Sequence, residues 1–102
     1  MKPSNDTVYT FDEIKARLAP VFSANRVKSA VLFGSYAKNA ADEDSDVDLL
    51  VDSGLRGLDF VGLVEYIREA LGKEVDVMDV HYVKKGSLVD QEARASGVLI
   101  YG

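Results

Sequence analysis

The chain has 102 residues, a net charge of −5, no cysteine and a single histidine, His81. Disulfides, cysteine-based zinc sites and catalysis by paired histidines are excluded, and a reducing cytoplasm is the expected compartment. The acidic balance argues against a non-specific nucleic-acid clamp, which needs basic surface, but it admits a nucleotide held through metal ions. No apolar run approaches the ~20 residues that cross a bilayer. Residues 1–6 lack the apolar core of a signal peptide. One domain spanning residues 1–102 is the natural expectation.

In chain order, Thr10 and Glu13 make a capping box, after which Phe11, Ile14 and Leu18 recur on one helical face. Pro20 should end or kink this helix, since it offers no N–H to the turn behind it. Residues 27–33 read as a buried strand stopped by Gly34, followed by a short helical turn through Tyr36, Ala37 and Lys38. Residues 45–52 read as a second strand, with Val47, Leu49 and Val51 on one face and Asp46, Asp48 and Leu50 on the other. Phe60, Val64, Ile67 and Leu71 mark an amphipathic helix, capped at its end by Gly72. Residues 74–80 are a third strand. Ser87 caps a last helix that Gly97 terminates, and the apolar tail 98–101 is either a sheet strand or part of an interface. This alternation predicts an α/β (α+β) fold in which helices pack on a small sheet.

The chemistry concentrates in two places. Gly34-Ser35 follows one apolar strand, and Ser45-Asp46-Val47-Asp48 opens the next. Glycine allows close backbone approach, and exposed N–H groups with the Ser35 hydroxyl can cradle phosphate oxygens. Asp46 and Asp48 point to one side of their strand, ~7 Å apart. Carboxylates so placed can converge on two metals ~3.5–4 Å apart, the arrangement of in-line phosphoryl transfer. Hard oxygen ligands suit Mg²⁺, which completes its shell with waters and substrate phosphates. A lone Asp-x-Asp is most often a solvated strand edge; phosphate site and metal site together shift the balance. An EF-hand is excluded because Val47 and Ser53 stand where its glycine and glutamate belong. A P-loop is excluded because its second glycine and Lys-Ser/Thr are missing.

These residues resemble the minimal nucleotidyltransferases of the DNA polymerase β-like superfamily. The signature reads here Gly34-Ser35, then Ser45-Asp46-Val47-Asp48-Leu49-Leu50-Val51, and the similarity extends through Leu71-Gly72-Lys73-Glu74-Val75-Asp76. Asn39 replaces the family's usual glycine, and asparagine tolerates the left-handed region. The resemblance implies a palm fold with a small mixed sheet, and attack by a hydroxyl on the α-phosphorus of ATP with release of pyrophosphate. It further implies two Mg²⁺ ions on Asp46 and Asp48, with Asp76 as third carboxylate. Asp76 is preferred to Asp79 on the resemblance and on strand parity, because Asp79 faces the other side of its strand. A charge in its Val-Asp-Val setting is also expected to be buried and to need a partner. Gly34, Ser35, Ser45 and Lys38 would contact the nucleotide, with Lys38 equally readable as a solvated lysine. His81 reads as a surface or loop residue and the tyrosines as packing groups.

Larger relatives carry a helical acceptor-binding domain for which no residues remain, so the acceptor is expected on another chain. The stand-alone members resembled are antitoxins paired with HEPN-domain ribonuclease toxins. The resemblance therefore implies transfer of AMP to a tyrosine of that toxin, together with direct binding to it. Two alternatives stand beside it: a binding module that masks its partner by contact, and a small-molecule nucleotidyltransferase, of the aminoglycoside type, that works with a partner subunit.

Overall fold

The computed structural model describes residues 8–102, so the sequence reading of residues 1–6 lies outside it. Helix α1 (Phe11–Ala24) starts at the expected capping box: Thr10 Oγ1 accepts the Glu13 N–H at 3.1 Å, and Glu13 Oε1 accepts the Thr10 N–H at 2.9 Å. Two of the helix's orphan donors are thereby satisfied. The helix does not end at Pro20 but runs through it to Ala24. Ile14, Leu18 and Phe22 recur every four residues as one fully buried stripe. Burying Phe22, which also packs on the Tyr101 ring, holds the last turn against the lost N–H.

Four strands follow, β1 (Ser29–Phe33), β2 (Val47–Asp52), β3 (Val75–Asp79) and β4 (Val98–Tyr101), in the spatial order β3-β2-β1-β4. β1 pairs antiparallel with β2 and β4, while β2 and β3 run parallel, so the sheet is mixed as expected. The tail 98–101 is therefore an edge strand. The parallel pair needs a crossover, which α2 (Leu58–Leu71) supplies before Gly72 closes it in the left-handed conformation at φ 62°. Its fully buried stripe is Leu63, Ile67 and Leu71, with Phe60 partly buried beside it. The sequence reading placed that stripe one residue off at Val64, which is half-buried.

α1 and α2 cover one face of the sheet. Their stripes meet Leu32, Val47, Leu49, Val51 and Ile100 in a single core, in which each fully buried aliphatic side chain contributes about 1.5–3 kcal/mol. Along β2 burial alternates, so Asp48 and Leu50 point to the opposite face. That face is covered only in part, by α3 (Leu88–Ser96), which Ser87 caps by accepting the Asp90 N–H. Gly97 ends α3 so close to β1 that an added Cβ would lie 2.7 Å from Val31 Cγ1. No helix among the described residues is long and apolar enough to cross a membrane.

Candidate active site

The uncovered part of the sheet is where β1, β2 and β3 present their polar residues. Asp48 is paired in register with Phe33 on β1 and with Asp76 on β3, and Asp46 immediately precedes β2. Strand parity thus brings Asp46, Asp48 and Asp76 to one face. Among the described residues, none of these three carboxylates makes a hydrogen bond or ion pair. Burial pushes the Asp48 carboxyl up to about 6, and the nearby charges of Asp76, Asp46 and Glu92 push the same way. A carboxylate raised by burial and by like charges beside it is the kind of group that marks a candidate functional site.

Gly34 shows how tightly the glycine-serine turn meets this carboxylate. It directly follows Phe33, the partner of Asp48, and its φ is +72°. A Cβ there would sit 2.3 Å from Asp48 Oδ2. Only glycine satisfies both the left-handed backbone and the close approach. Beyond it, the Lys38 N–H donates to the Gly34 carbonyl and the Ala40 N–H to the Ser35 carbonyl, winding residues 34–40 into the expected turn. Asn39 adopts φ 56°, the left-handed conformation that its place in the turn demands. The Ser35 hydroxyl has no hydrogen-bond partner among the described residues and is free for a ligand.

The remaining candidates are placed differently. The Ser45 hydroxyl is engaged within its own loop, accepting the Asp42 N–H at 2.9 Å and donating to Asp42 Oδ1 at 3.2 Å. Lys38 Nζ lies 3.3 Å from Glu92 on α3, both half exposed. Tyr36 is buried in the core, as a packing tyrosine should be. The expected burial of Asp76 is not met. Asp76 is exposed because β3 is a sheet edge that no helix covers on this face. The buried carboxylate is Asp79, 2% exposed on the opposite side of β3. Its Oδ2 accepts the Ser53 hydroxyl at 2.5 Å and the Ser53 N–H at 3.1 Å, while Oδ1 takes the His81 N–H at 3.0 Å and meets His81 Nδ1 at 2.8 Å. Burial opposes its ionisation, yet these hydrogen bonds outweigh burial and hold the carboxyl down to about 2. Asp79 is thus a structural tie, and His81, with 64% of its side chain exposed, assists it from the surface.

Two contributors carry no sequence signal. Glu92 reaches the site only because α3 crosses the sheet face. The buried Lys73 donates through Nζ to the Glu43 carbonyl at 3.2 Å, pinning the loop that leads into Asp46. Among the described residues, no group of three or more His, Cys, Asp or Glu side chains stands close enough together to hold a metal ion by itself. A concavity of about 540 Å³ between α1 and α2 lies on the other side of the sheet and includes none of these carboxylates.

Residues 16–102 match the protein family described as polymerase beta, nucleotidyltransferase. The chain belongs to the polymerase β nucleotidyltransferase family. Within it, a Methanocaldococcus jannaschii protein provisionally named a protein adenylyltransferase is 40% identical over 78% of this chain and 91% of its own length. The protein adenylyltransferase MntA of Thermococcus cleftensis is 42% identical over 59% of this chain and 63% of its own. Among solved structures, a toxin–antitoxin with AMP-PNP superposes with a TM-score of 0.75 at 22% identity, covering 86% of this chain and 73% of that one. A complex of tri-AMPylated Shewanella oneidensis HEPN toxin with its MNT antitoxin gives 0.70 at 20% identity, over 91% and 73%. The nucleotidyltransferase fold expected from the Gly-Ser and Asp-x-Asp signature is the fold observed.

Proposed function

We propose that this nucleotidyltransferase transfers AMP from ATP to a hydroxyl, a tyrosine of a HEPN-domain toxin, and so serves as that toxin's antitoxin. The observation that carries the reading is the trio Asp46, Asp48 and Asp76, unpartnered among the described residues on one sheet face, with Asp48 abutting the glycine-serine turn. The naming of relatives as protein adenylyltransferases, and the toxin–antitoxin complexes among similar structures, support the choice of a protein acceptor.

Asp46 and Asp48 would hold Mg²⁺, two ions in the family's scheme, with Asp76 as third carboxylate. Bound there, the metal supplies charge neutralisation on the triphosphate and lowers the pKa of the attacking hydroxyl. Ser35 and the backbone of Gly34 receive phosphate oxygens, and Lys38, once released from Glu92, adds a cation beside them. The acceptor oxygen bonds to the α-phosphorus, the bond from that phosphorus to the β-phosphate oxygen breaks, and pyrophosphate leaves. The hydroxyl proton passes to Asp76 on the exposed edge strand. Positioning and electrostatics do most of this work. Because the Ser45 hydroxyl is engaged with Asp42, its part is to shape the loop before Asp46. The setting is the cytoplasm, in which both nucleotide and toxin are present.

Intact-mass analysis tests this reading: the HEPN protein is incubated with the chain and Mg-ATP. One or more AMP additions on a tyrosine are expected. An unmodified HEPN protein that still binds the chain would replace transfer with masking by contact.

A further inference from the structure

Two residues along β2 from Asp48, on the same face, Leu50 floors a cleft of about 360 Å³. Its floor lies next along the strand to Asp48, since same-side positions on a strand are ~7 Å apart. Val80 and Val83 form apolar walls, and Lys85, Asp90 and Arg94 form the rim. The rim is preorganised. Asp90 Oδ2 accepts the Gly86 N–H at 2.8 Å, Gln91 Nε2 donates to the Gly86 carbonyl at 2.8 Å, and Asp90 Oδ1 accepts Arg94 Nε at 2.9 Å. Arg94 nevertheless leaves 69% of its side chain exposed, and Lys84 and Lys85 stand exposed in the same turn. The cleft itself sets two cations, Lys85 and Arg94, against one carboxylate, with Lys84 beside it, in a chain whose net charge is −5.

We propose that this cleft is the acceptor site, which takes the modified segment of the protein substrate as a tyrosine side chain flanked by acidic residues. The inference rests on the protein-acceptor reading and adds the place and chemistry of recognition. An apolar floor with a few polar groups at the rim is the usual make-up of a recognition pocket. The cations oppose the sign of the rest of the molecule, so they select an acidic partner segment and speed its encounter. Placed on Leu50, a bound side chain projects along β2 toward Asp48 and Asp76, where its hydroxyl must arrive.

The experiment compares wild type with Lys85→Glu and Arg94→Glu, using the HEPN-domain protein as probe. Its Kd, its KM in AMP transfer and their salt dependence are measured, alongside affinity for AMP-PNP with Mg²⁺. Lys85 makes no hydrogen bond or ion pair among the described residues, so Lys85→Glu remains informative if Arg94→Glu loosens α3. Expected are a roughly five- to tenfold rise in KM and Kd with kcat kept, a shallower salt dependence, and unchanged AMP-PNP affinity. Variants that match wild type for the HEPN protein overturn the acceptor site alone and leave the transferase standing. Weakened AMP-PNP binding with KM for the HEPN protein unchanged assigns the cleft to the nucleotide and overturns it equally. A wild-type chain that neither binds nor modifies the HEPN protein overturns the function reading and this inference together.

Discussion

β3 carries two aspartates three residues apart whose surroundings could hardly differ more. Asp76, with Asp48 and Asp46 beside it, belongs to a set of carboxylates with no hydrogen-bond donor or ion-pair partner among the described residues, and Asp48 is held up at about 6. Asp79, on the opposite side, is buried with four contacts to Ser53 and His81 and held down at about 2. A carboxylate that the fold satisfies stabilises the fold. Carboxylates left facing one another cost stability and are kept for something that arrives from outside.

Neutralising one member of each set should separate the two roles. Asp48→Asn should lower AMP transfer by about 10³-fold or more, read from initial rates with Mg-ATP. Its unfolding midpoint in urea should hold or rise, because a repelled charge is removed. A variant equally impaired in folding would show that Asp48 is structural.

Asp79→Ala should do the reverse. It leaves two N–H groups and a hydroxyl without their acceptor, which costs about 2–4 kcal/mol in urea unfolding while transfer per folded molecule is kept. The wild type should also show an acid limb that this variant lacks. Asp79 has a lowered folded pKa, so its contribution of about 2 kcal/mol is complete above pH ~4 and drains away as pH falls toward 2. Identical acid limbs in the two proteins would contradict the assignment.

How much of this contrast is legible in the sequence depends on whether the signal is local. The capping box, Gly72 and the Gly34-Ser35 and Asp46-x-Asp48 spacing are short-range patterns, and each maps onto its element. Parity alone separates Asp76 from Asp79, yet the burial argument assigns the buried charge to the wrong one. Burial of a strand residue depends on what lies over it, and nothing in the Val-Asp-Val context reveals that β3 is an edge. Pro20 does not fix the helix end for a similar reason, because its penalty is local whereas the Phe22 burial that carries the helix on to Ala24 is tertiary. Glu92 and Lys73 reach the site through chain crossings that no motif records.

Gly34→Ala should give a smaller effect, and one that touches both sides of the comparison. The new Cβ meets Asp48 Oδ2 and the backbone holds φ +72°, so a stability loss of about 1–2 kcal/mol should accompany a roughly tenfold loss of transfer as Asp48 is displaced. Normal transfer and stability in this variant would mean that the turn and Asp48 do not approach as closely as the structure has them.

Calorimetric titration with AMP-PNP, with and without Mg²⁺, addresses the claim that the open carboxylate face exists to receive metal and nucleotide. The account predicts tight binding with Mg²⁺, little with EDTA, loss of the metal dependence in Asp48→Asn and its retention in Asp79→Ala. Equal affinity with Mg²⁺ and with EDTA, or an Asp48→Asn chain that still responds to the metal, would contradict it.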